Sequence, residues 1–403
     1  MSVGGQKGTG ERPKVGMVCF SYYPDDVRPR RECEALVEAG FAVDMICLRA
    51  KGEKPCETVA GVGVYRLPIT RKRGSKIKYV LDWAAFFILS GFVLSYLHLK
   101  KRYRLIQIHN MPDFLVFVAI LPRLLGVKVL LDLHDPTPEV FMAKYGVPDS
   151  HFFTRLLRMI EKGSIGFASH VITPNLAFRE LFASRSCARK KIDIVMNSPQ
   201  ESVFGSGDGT GGERKQTDEF VVMYHGTVAE RLGLDVALDA IDRVARKMRR
   251  IRFLVYGEGD YVTEFQKRVL ELGLEDVVEY HGRVPLETIA KEIETIDLGV
   301  IPNRVSCFTN LNFPTRIFEY LCKRKPVIVP KTRGISDYFD DQSLFYCKGG
   351  DPESLAEKIW EVYKGGESVA EVVNRGYVVY EQHRWEKEKE RYSELAGRLA
   401  GGR

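Results

Sequence analysis

The sequence predicts an α/β protein made of two doubly wound parallel-sheet domains facing one another. Short apolar runs alternate with helical patterns along the whole chain, a glycine-rich stretch interrupts the series once, and 403 residues exceed what one hydrophobic core usually fills.

In the first half, Val15–Phe20, Val43–Leu48, Val62–Leu67, Leu105–His109, Val129–Leu133, His170–Thr173 and Ile192–Met196 read as strands. Continuous apolar runs of this length, separated by helical segments, suit strands covered on both faces. Ser202–Glu219 then carries five glycines and almost no apolar residue, as a connection between domains does. Beyond it Phe220–Tyr224, Arg252–Tyr256, Val277–Tyr280, Leu298–Ile301, Val327–Val329 and Leu344–Tyr346 repeat the rhythm. The expected divisions are a disordered start at 1–12, a first domain at 13–200, a linker at 201–219 and a second domain at 220–376. A C-terminal helix at 377–403 is expected to return to the first domain. Ligands of such sheets bind beyond the carboxyl ends of the strands, which makes the interdomain cleft the expected site.

Composition narrows the function. Eight cysteines form no CxxC pair, which argues against zinc and disulfide frameworks and for a reducing cytosol; no cleavable secretory signal is visible. The net charge of +7 is modest for the length, and no nucleic-acid partner is expected. One segment stands apart. Trp83–Leu97 has no charge, is shorter than the about 20 residues of a spanning helix, and is bracketed by Arg71, Lys72, Arg73, Lys76 and Lys78 before and Lys100, Lys101, Arg102 and Arg104 after. A helix at 79–99 lying in the membrane interface would place Trp83, Phe86, Phe87 and Phe92 among lipid and the cations on anionic headgroups. The other reading is a core helix between solvated loops. A true span is disfavoured, because both flanks belong to one domain.

The candidate chemistry sits at strand ends. In the first domain these are His109-Asn110-Met111-Pro112-Asp113 and Asp132-Leu133-His134-Asp135, with Asp26 and Arg28 after the first strand. In the second, Tyr224-His225-Gly226-Thr227 is followed by Arg231, and Gly257-Glu258-Gly259 forms another strand-to-helix turn. Pro314 and Thr315 open a short helix that puts Arg316 and Glu319 on one face, which reads either as an i,i+3 ion pair or as a nucleotide site. Two arginines and a helix N-terminus can offset the charge of a departing nucleoside diphosphate without a metal.

Taken in order, His225-Gly226, Val255-Tyr256-Gly257-Glu258-Gly259, His281-Gly282-Arg283-Val284, Asp297-Leu298-Gly299-Val300-Ile301-Pro302 and the helix from Pro314 to Tyr320 resemble the retaining family-4 glycosyltransferases of the GT-B fold, from Val15 to about Tyr392. The first-domain motifs look like members that build cell-surface polysaccharide or lipid-linked glycans. The resemblance implies a hexosyl or N-acetylhexosaminyl group moved from a nucleoside-diphosphate sugar with retention, without metal or other cofactor. It further implies a polyprenyl- or other lipid-linked acceptor, and a place on the cytoplasmic face of the cell membrane. By position, Glu319 would hold the ribose, Arg316 and Arg231 the phosphates, Gly282, Arg283 and Val284 the base, and His109 the donor sugar. Gly226, Thr227, Gly257, Pro314, Thr315 and Tyr320 would complete the donor side, and Asp26, Arg28, His134 and Asp135 the acceptor side. Two departures stand out. Leu311 occupies the place of the family's first acid, eight positions before Glu319, so that Asn310 or Asn312 is left to meet the sugar; Thr227 and Leu232 replace the usual Arg and Lys. A sugar-nucleotide epimerase of the same fold, or an idle partner subunit of a glycan-assembly complex, remain alternative readings.

Overall fold

The computed structural model describes residues 12–70, 76–205, 219–248 and 250–401. The expected disordered start up to residue 11, the basic residues Arg71, Lys72 and Arg73, and linker residues 206–218 lie outside the described residues, as do the side chains of Lys76 and Lys78.

The first domain runs through β1 (Lys14–Tyr22), α1 (Val27–Glu38), β2 (Ala42–Leu48), β3 (Cys56–Val59), β4 (Val62–Leu67), α2 (Lys76–Lys101) and β5 (Leu105–His109). It continues with α3 (Ile120–Leu124), β6 (Lys128–Asp132), α4 (Thr137–Tyr145), α5 (Phe152–Phe167), β7 (His170–Thr173), α6 (Leu176–Arg185), β8 (Ile192–Ile194) and the single turn α7 (Glu201–Phe204). The second domain comprises β9 (Phe220–His225), α8 (Leu234–Ala245), β10 (Ile251–Tyr256), α9 (Val262–Leu272), β11 (Val278–Gly282), α10 (Leu286–Thr295) and β12 (Leu298–Val300). After these come α11 (Arg316–Cys322), β13 (Val327–Pro330), α12 (Arg333–Ser336), β14 (Phe345–Cys347), α13 (Pro352–Lys364) and α14 (Glu367–Gln382). A last helix, α15 (Trp385–Gly401), closes the chain.

The strand orders are β3-β4-β2-β1-β5-β6-β7-β8 and β11-β10-β9-β12-β13-β14. Both reverse direction beside their first strand, β1 and β9, and such a reversal opens a crevice at the carboxyl ends of the strands. All pairings within the described residues are parallel except β3 with β4. The sequence reading misses β3: it is an antiparallel edge strand with half-exposed and exposed residues, so no apolar run marks it.

The chain crosses back at its end. Helix α14 stays on the second domain, where Tyr380 packs on Phe318, whereas α15 lies on α1 with Trp385 beneath the Arg31 guanidinium. The return to the first domain thus starts at His383, whose carbonyl accepts from Ser198, rather than at 377. Phe308 of the second domain also stacks on Phe178 of α6, and the Leu176 amide donates to the Tyr338 hydroxyl.

Helix α2 explains the segment that stood apart. It has the length and composition to cross a membrane, but β4 before it and β5 after it belong to one sheet, which rules out a span. Phe86, Ser90, Leu94 and Leu97 form one helical stripe packed on the core, and Phe86 meets Phe20 edge-to-face. Of the four residues expected in lipid, Phe86 is therefore misassigned at 1% exposure, and Trp83 and Phe87 are half-buried against Phe114. Phe92 alone stands out, at 72% exposure, and it shares the outer face with Leu81, Ile88, Tyr96 and Leu99. Lys101 is not available to headgroups either, being bonded to Asp44 and Tyr65.

The two faces of α2 predict opposite responses to substitution. Phe86→Ala should cost about 3–5 kcal/mol as a core cavity, and Phe92→Ser less than about 0.5 kcal/mol. Denaturant unfolding of the two variants checks this.

Candidate active site

The first domain's half of the cleft is organised by a buried guanidinium. Arg28, in the first turn of α1, donates from Nε and Nη2 to the two oxygens of Asp132 at 2.9 and 2.7 Å. Its remaining nitrogen, Nη1, reaches the Val195 carbonyl and Asn197. Asp132 ends β6 and His109 ends β5, and their parallel register sets the imidazole beside the carboxylate, Nδ1 to Oδ2 3.0 Å. The same oxygen lies 2.8 Å from His134 Nε2. Burial alone would push Asp132 upward; Arg28 and the imidazoles hold it well below the usual carboxylate range. Behind Arg28, Glu32 is raised to about 7 by burial and by Asp132. Glu32 accepts from Gln107, which in turn accepts from Tyr392 of α15.

His109, Asp132 and His134 bring three ligand atoms within 4.8 Å of one another. Arg28 spans both oxygens of that carboxylate, so a cation there would share it with the guanidinium. Deeper in, Asp113 is raised to about 6 by burial, against hydrogen bonds from Asn110 and Thr137. At the rim, burial raises Asp135, and His134 and Arg231 oppose it, so Arg231 of the second domain faces Asp135 across the cleft.

The second domain contributes stacked turns. A Cβ on Gly257 would stand 1.8 Å from the Gly226 carbonyl oxygen, so the turns after β9 and β10 touch backbone to backbone and only glycine fits there. They form one wall of a cavity of about 710 Å³, with Thr227, Glu258, Arg283 and Val284, while Arg30 and Asp25 of the first domain close the other side. Glu319, its side chain 13% exposed, places Oε2 3.3 Å from Nε2 of His225. Burial pushes Glu319 up to about 7 despite Arg316 and Arg31, and burial together with Arg316 holds His225 well below its ordinary value. The ring of His225 is thus neutral.

The structure brings many of the sequence candidates together at this cleft and moves others out of it. Gly226, Thr227, Gly257, Arg283 and Val284 line the cavity; Gly282 supports it by accepting from the Gly257 amide. Arg316 does not project freely toward an anion. It donates to the His225 carbonyl and stacks on Tyr224, beneath the Gly226 turn. Tyr320 is fully buried with its hydroxyl on the Met223 carbonyl, which makes it a packing residue and not a donor contact. Arg28 likewise is core ion-pair rather than acceptor surface, and Asp26 sits at the start of α1 without capping it through its side chain. Asn310 is committed to its own loop, its side-chain oxygen accepting from the Arg333 amide; Asn312 is half-buried. Pro314 and Thr315 receive the Ile317, Phe318 and Glu319 amides, so fewer free donors remain at this helix start than its sequence suggests. Leu311 packs against the first domain's apolar cluster. Sequence reasoning missed Arg31, which contacts Asn197 and the Ser198 carbonyl and lies close enough to Glu319 to act on its charge. The Arg28-x-x-Arg31-Glu32 spacing, one helix face, was the available signal.

Comparison with known proteins agrees with this architecture. The model described as "Glycosyl transferases group 1" matches residues 211–379, and that of the "Glycosyl transferase 4-like domain" matches 26–198. The amylovoran biosynthesis glycosyltransferase AmsK of Erwinia amylovora is 23% identical over 148 residues, 36% of each chain. The aligned stretches span about a third of the curated relatives. Among solved structures, sucrose-phosphate synthase from Thermosynechococcus elongatus superposes with a TM-score of 0.78 at 17% identity, covering 97% of this chain and all of the other. Anabaena HepE, solved in complex with UDP and glucose, gives 0.71 at 16% identity over 96% of this chain and all of the other. These likenesses show the GT-B fold.

Removing the organising cation has a defined consequence. Arg28→Ala leaves the buried Asp132 carboxylate without its guanidinium and should destabilise the protein by about 3–5 kcal/mol, measured by denaturant unfolding at pH 7.

Proposed function

The chain belongs to the group 1 glycosyltransferases, and on that premise we propose that it transfers a hexosyl or N-acetylhexosaminyl group, with retention, from a nucleoside-diphosphate sugar to a lipid-linked acceptor in cell-surface glycan synthesis. One observation carries the donor half: the cavity of about 710 Å³ between the domains, walled by the paired glycine turns, His225 and Arg283, with Glu319 behind His225 at 3.3 Å. Its volume suits a nucleotide. The base lies against Arg283 and Val284, the ribose hydroxyls donate to Glu319, and the diphosphate rests at the Gly226 turn with Arg231 facing it. Arg316 holds that turn in place from below. The acceptor hydroxyl enters from the Asp135 side and attacks on the face that the phosphate leaves, which keeps the anomeric configuration; the departing phosphate takes the acceptor's proton, and Arg231 stabilises it. The binding of UDP by HepE and the role of AmsK in amylovoran synthesis support the donor class and the polysaccharide setting.

The outer face of α2 supports the membrane half of the reading. Helix α3, in contact with α2, exposes Ile120 and Leu124, Leu124 at 78%, with Leu125 just beyond, and exposed Lys100, Arg102 and Arg104 lie at and after the end of α2. An apolar strip with cations at one end suits a helix lying in an anionic interface. We place the protein on the cytoplasmic face of the cell membrane as a monotopic enzyme.

Incubation with nucleotide sugars and a membrane lipid extract tests the activity. Sugar transferred to lipid supports the proposal; a free epimerised nucleotide sugar, or binding without turnover, replaces it with an epimerase or an idle subunit. Replacing Ile88, Phe92 and Leu124 together by serine should release the folded protein from phosphatidylglycerol-containing vesicles in a sedimentation assay. Binding of the donor is also expected to depend on pH with a definite sign. Ribose hydroxyls donate to the ionised form of Glu319, whose free value is about 7, so affinity rises with pH through neutrality. Calorimetry should find a nucleoside diphosphate bound about tenfold more weakly at pH 6 than at pH 8 beyond the dependence of the phosphate itself, and Glu319→Gln should remove that excess.

A further inference from the structure

We propose that α5 is a second membrane contact: the corner where α4 meets α5, together with the outer stripe of α5, enters an anionic lipid surface alongside α2. The inference rests on the membrane reading of α2 and adds the surface that sets how the cleft meets the bilayer.

The observation that carries it is a helix turned inside out. Thr154, Glu161 and Ser164 of α5 are fully buried, whereas Phe152, Phe153 and Met159 face solvent, Phe152 at 70% and Met159 at 66% exposure. A surface helix of a soluble domain shows the reverse. The inward acid is accounted for, because Glu161 accepts from Arg185 and from the Ser186 hydroxyl. The outward face is not accounted for by anything in the chain. Phe152, Arg155, Met159, Lys162 and Gly166 are all exposed and follow one another at intervals of three and four, so one stripe carries apolar and basic side chains and no acid.

The corner before this stripe is aromatic. The ring of Phe141 lies 4.9 Å from that of Tyr145, 6.0 Å from that of His151 and 6.4 Å from that of Phe153, and Phe152 and Phe153 are 5.4 Å apart. Tyr145, Phe152 and Phe153 are nonetheless exposed. Asp149, the acid of the connecting loop, is paired with Arg158.

Position in the fold names the occupant. The connections through α2, through α3 and through α4 and α5 all step in the same direction across parallel strands, and right-handed crossings of one direction lie on one face of a sheet. The packing agrees. Trp83 and Phe87 of α2 meet Phe114, Phe117 meets Phe167 of α5, and Arg123 of α3 stacks on that same ring. The exposed side chains of α2, α3 and α5 therefore belong to one side of the domain, where Arg155 and Lys162 add to the cations at the end of α2. An apolar and basic side of this kind fits the headgroups and upper acyl chains of an anionic bilayer. A second copy of the chain fits it worse, since a two-fold contact would set one basic stripe against the other.

An orientation follows. Helix α4 begins two residues after Asp135 at the cleft rim and has nine residues, so the aromatic corner lies about 14 Å along the helix from the rim. With this corner in the interface, the acceptor side of the cleft opens close to the headgroups, where the reactive end of a lipid-linked acceptor stands.

Phe152→Trp tests this in the full-length protein on phosphatidylglycerol-containing vesicles, with Val378→Trp, an exposed position on α14 of the second domain, as reference. When part of the lipid carries bromine on its acyl chains, the indole introduced at 152 should lose emission well beyond the wild-type tryptophans, and that at 378 should not. Independently, Arg155→Glu combined with Lys162→Glu, which leaves α2 intact, should weaken vesicle binding by about tenfold or more at low salt. Vesicle binding without excess quenching at 152 overturns the inference and leaves the α2 reading standing. Self-association of the free protein that already shields position 152 before lipid is added also overturns it, in favour of a second copy. If the wild type does not bind such vesicles at all, the membrane reading of α2 falls and this inference with it.

Discussion

The bidentate pair between Arg28 and Asp132 is the contact on which the first domain's half of the cleft depends. Strands β5 and β6 would end side by side without it, since their parallel register needs only backbone bonds. What the pair adds is charge balance at the point where both strands stop. Two imidazoles, two carboxylates and two arginines meet there, all of them buried except His134. Burying such groups is tolerated only when each finds a partner of opposite sign and good geometry. Arg28 supplies that geometry, because a planar fork can serve both oxygens of Asp132 and still reach Asn197. A lysine would satisfy the charge and not the directions.

The second domain solves a different problem with almost no charge. A nucleotide must approach backbone closely, and the turns after β9 and β10 make room by leaving out side chains where they touch. Arg316 then works from behind, filling the space under the Gly226 turn and binding the carbonyl that precedes it. The two halves differ accordingly in what they can tolerate. The first domain is rigid through side-chain ion pairs, the second through backbone proximity, and Glu319 stands between them under the influence of Arg316 from its own helix and Arg31 from the other domain.

Much of this was legible in the sequence, for reasons that also explain what was not. Leu105–His109 and His170–Thr173 are strands because a continuous apolar run bounded by polar residues has few other ways to bury itself. The glycine turns were visible because only glycine permits them. The orientation of α2 was hidden, since a segment apolar all round carries no period to say which face is inside, and Phe86 and Phe92 look alike until the sheet is placed beneath them. Arg316 and Tyr320 were read as reaching outward because residue type and spacing do not reveal whether a side chain turns toward a ligand or back toward its own sheet. The role of Arg28 was out of reach for a simpler reason: its partner lies 104 residues away.

Leu311 shows how such long-range partners reshape a motif. The loop that carries it leans on the first domain, where Phe308 joins the apolar cluster and stacks on Phe178, and where Cys307 approaches the Glu139 carbonyl. Leu311 packs against that same cluster. An acid at this position would bring its carboxylate against that apolar cluster, at a cost in stability or of its charge. The departure from the family pattern is therefore not an isolated substitution. It belongs with Phe308 and Phe178 as one apolar interdomain contact.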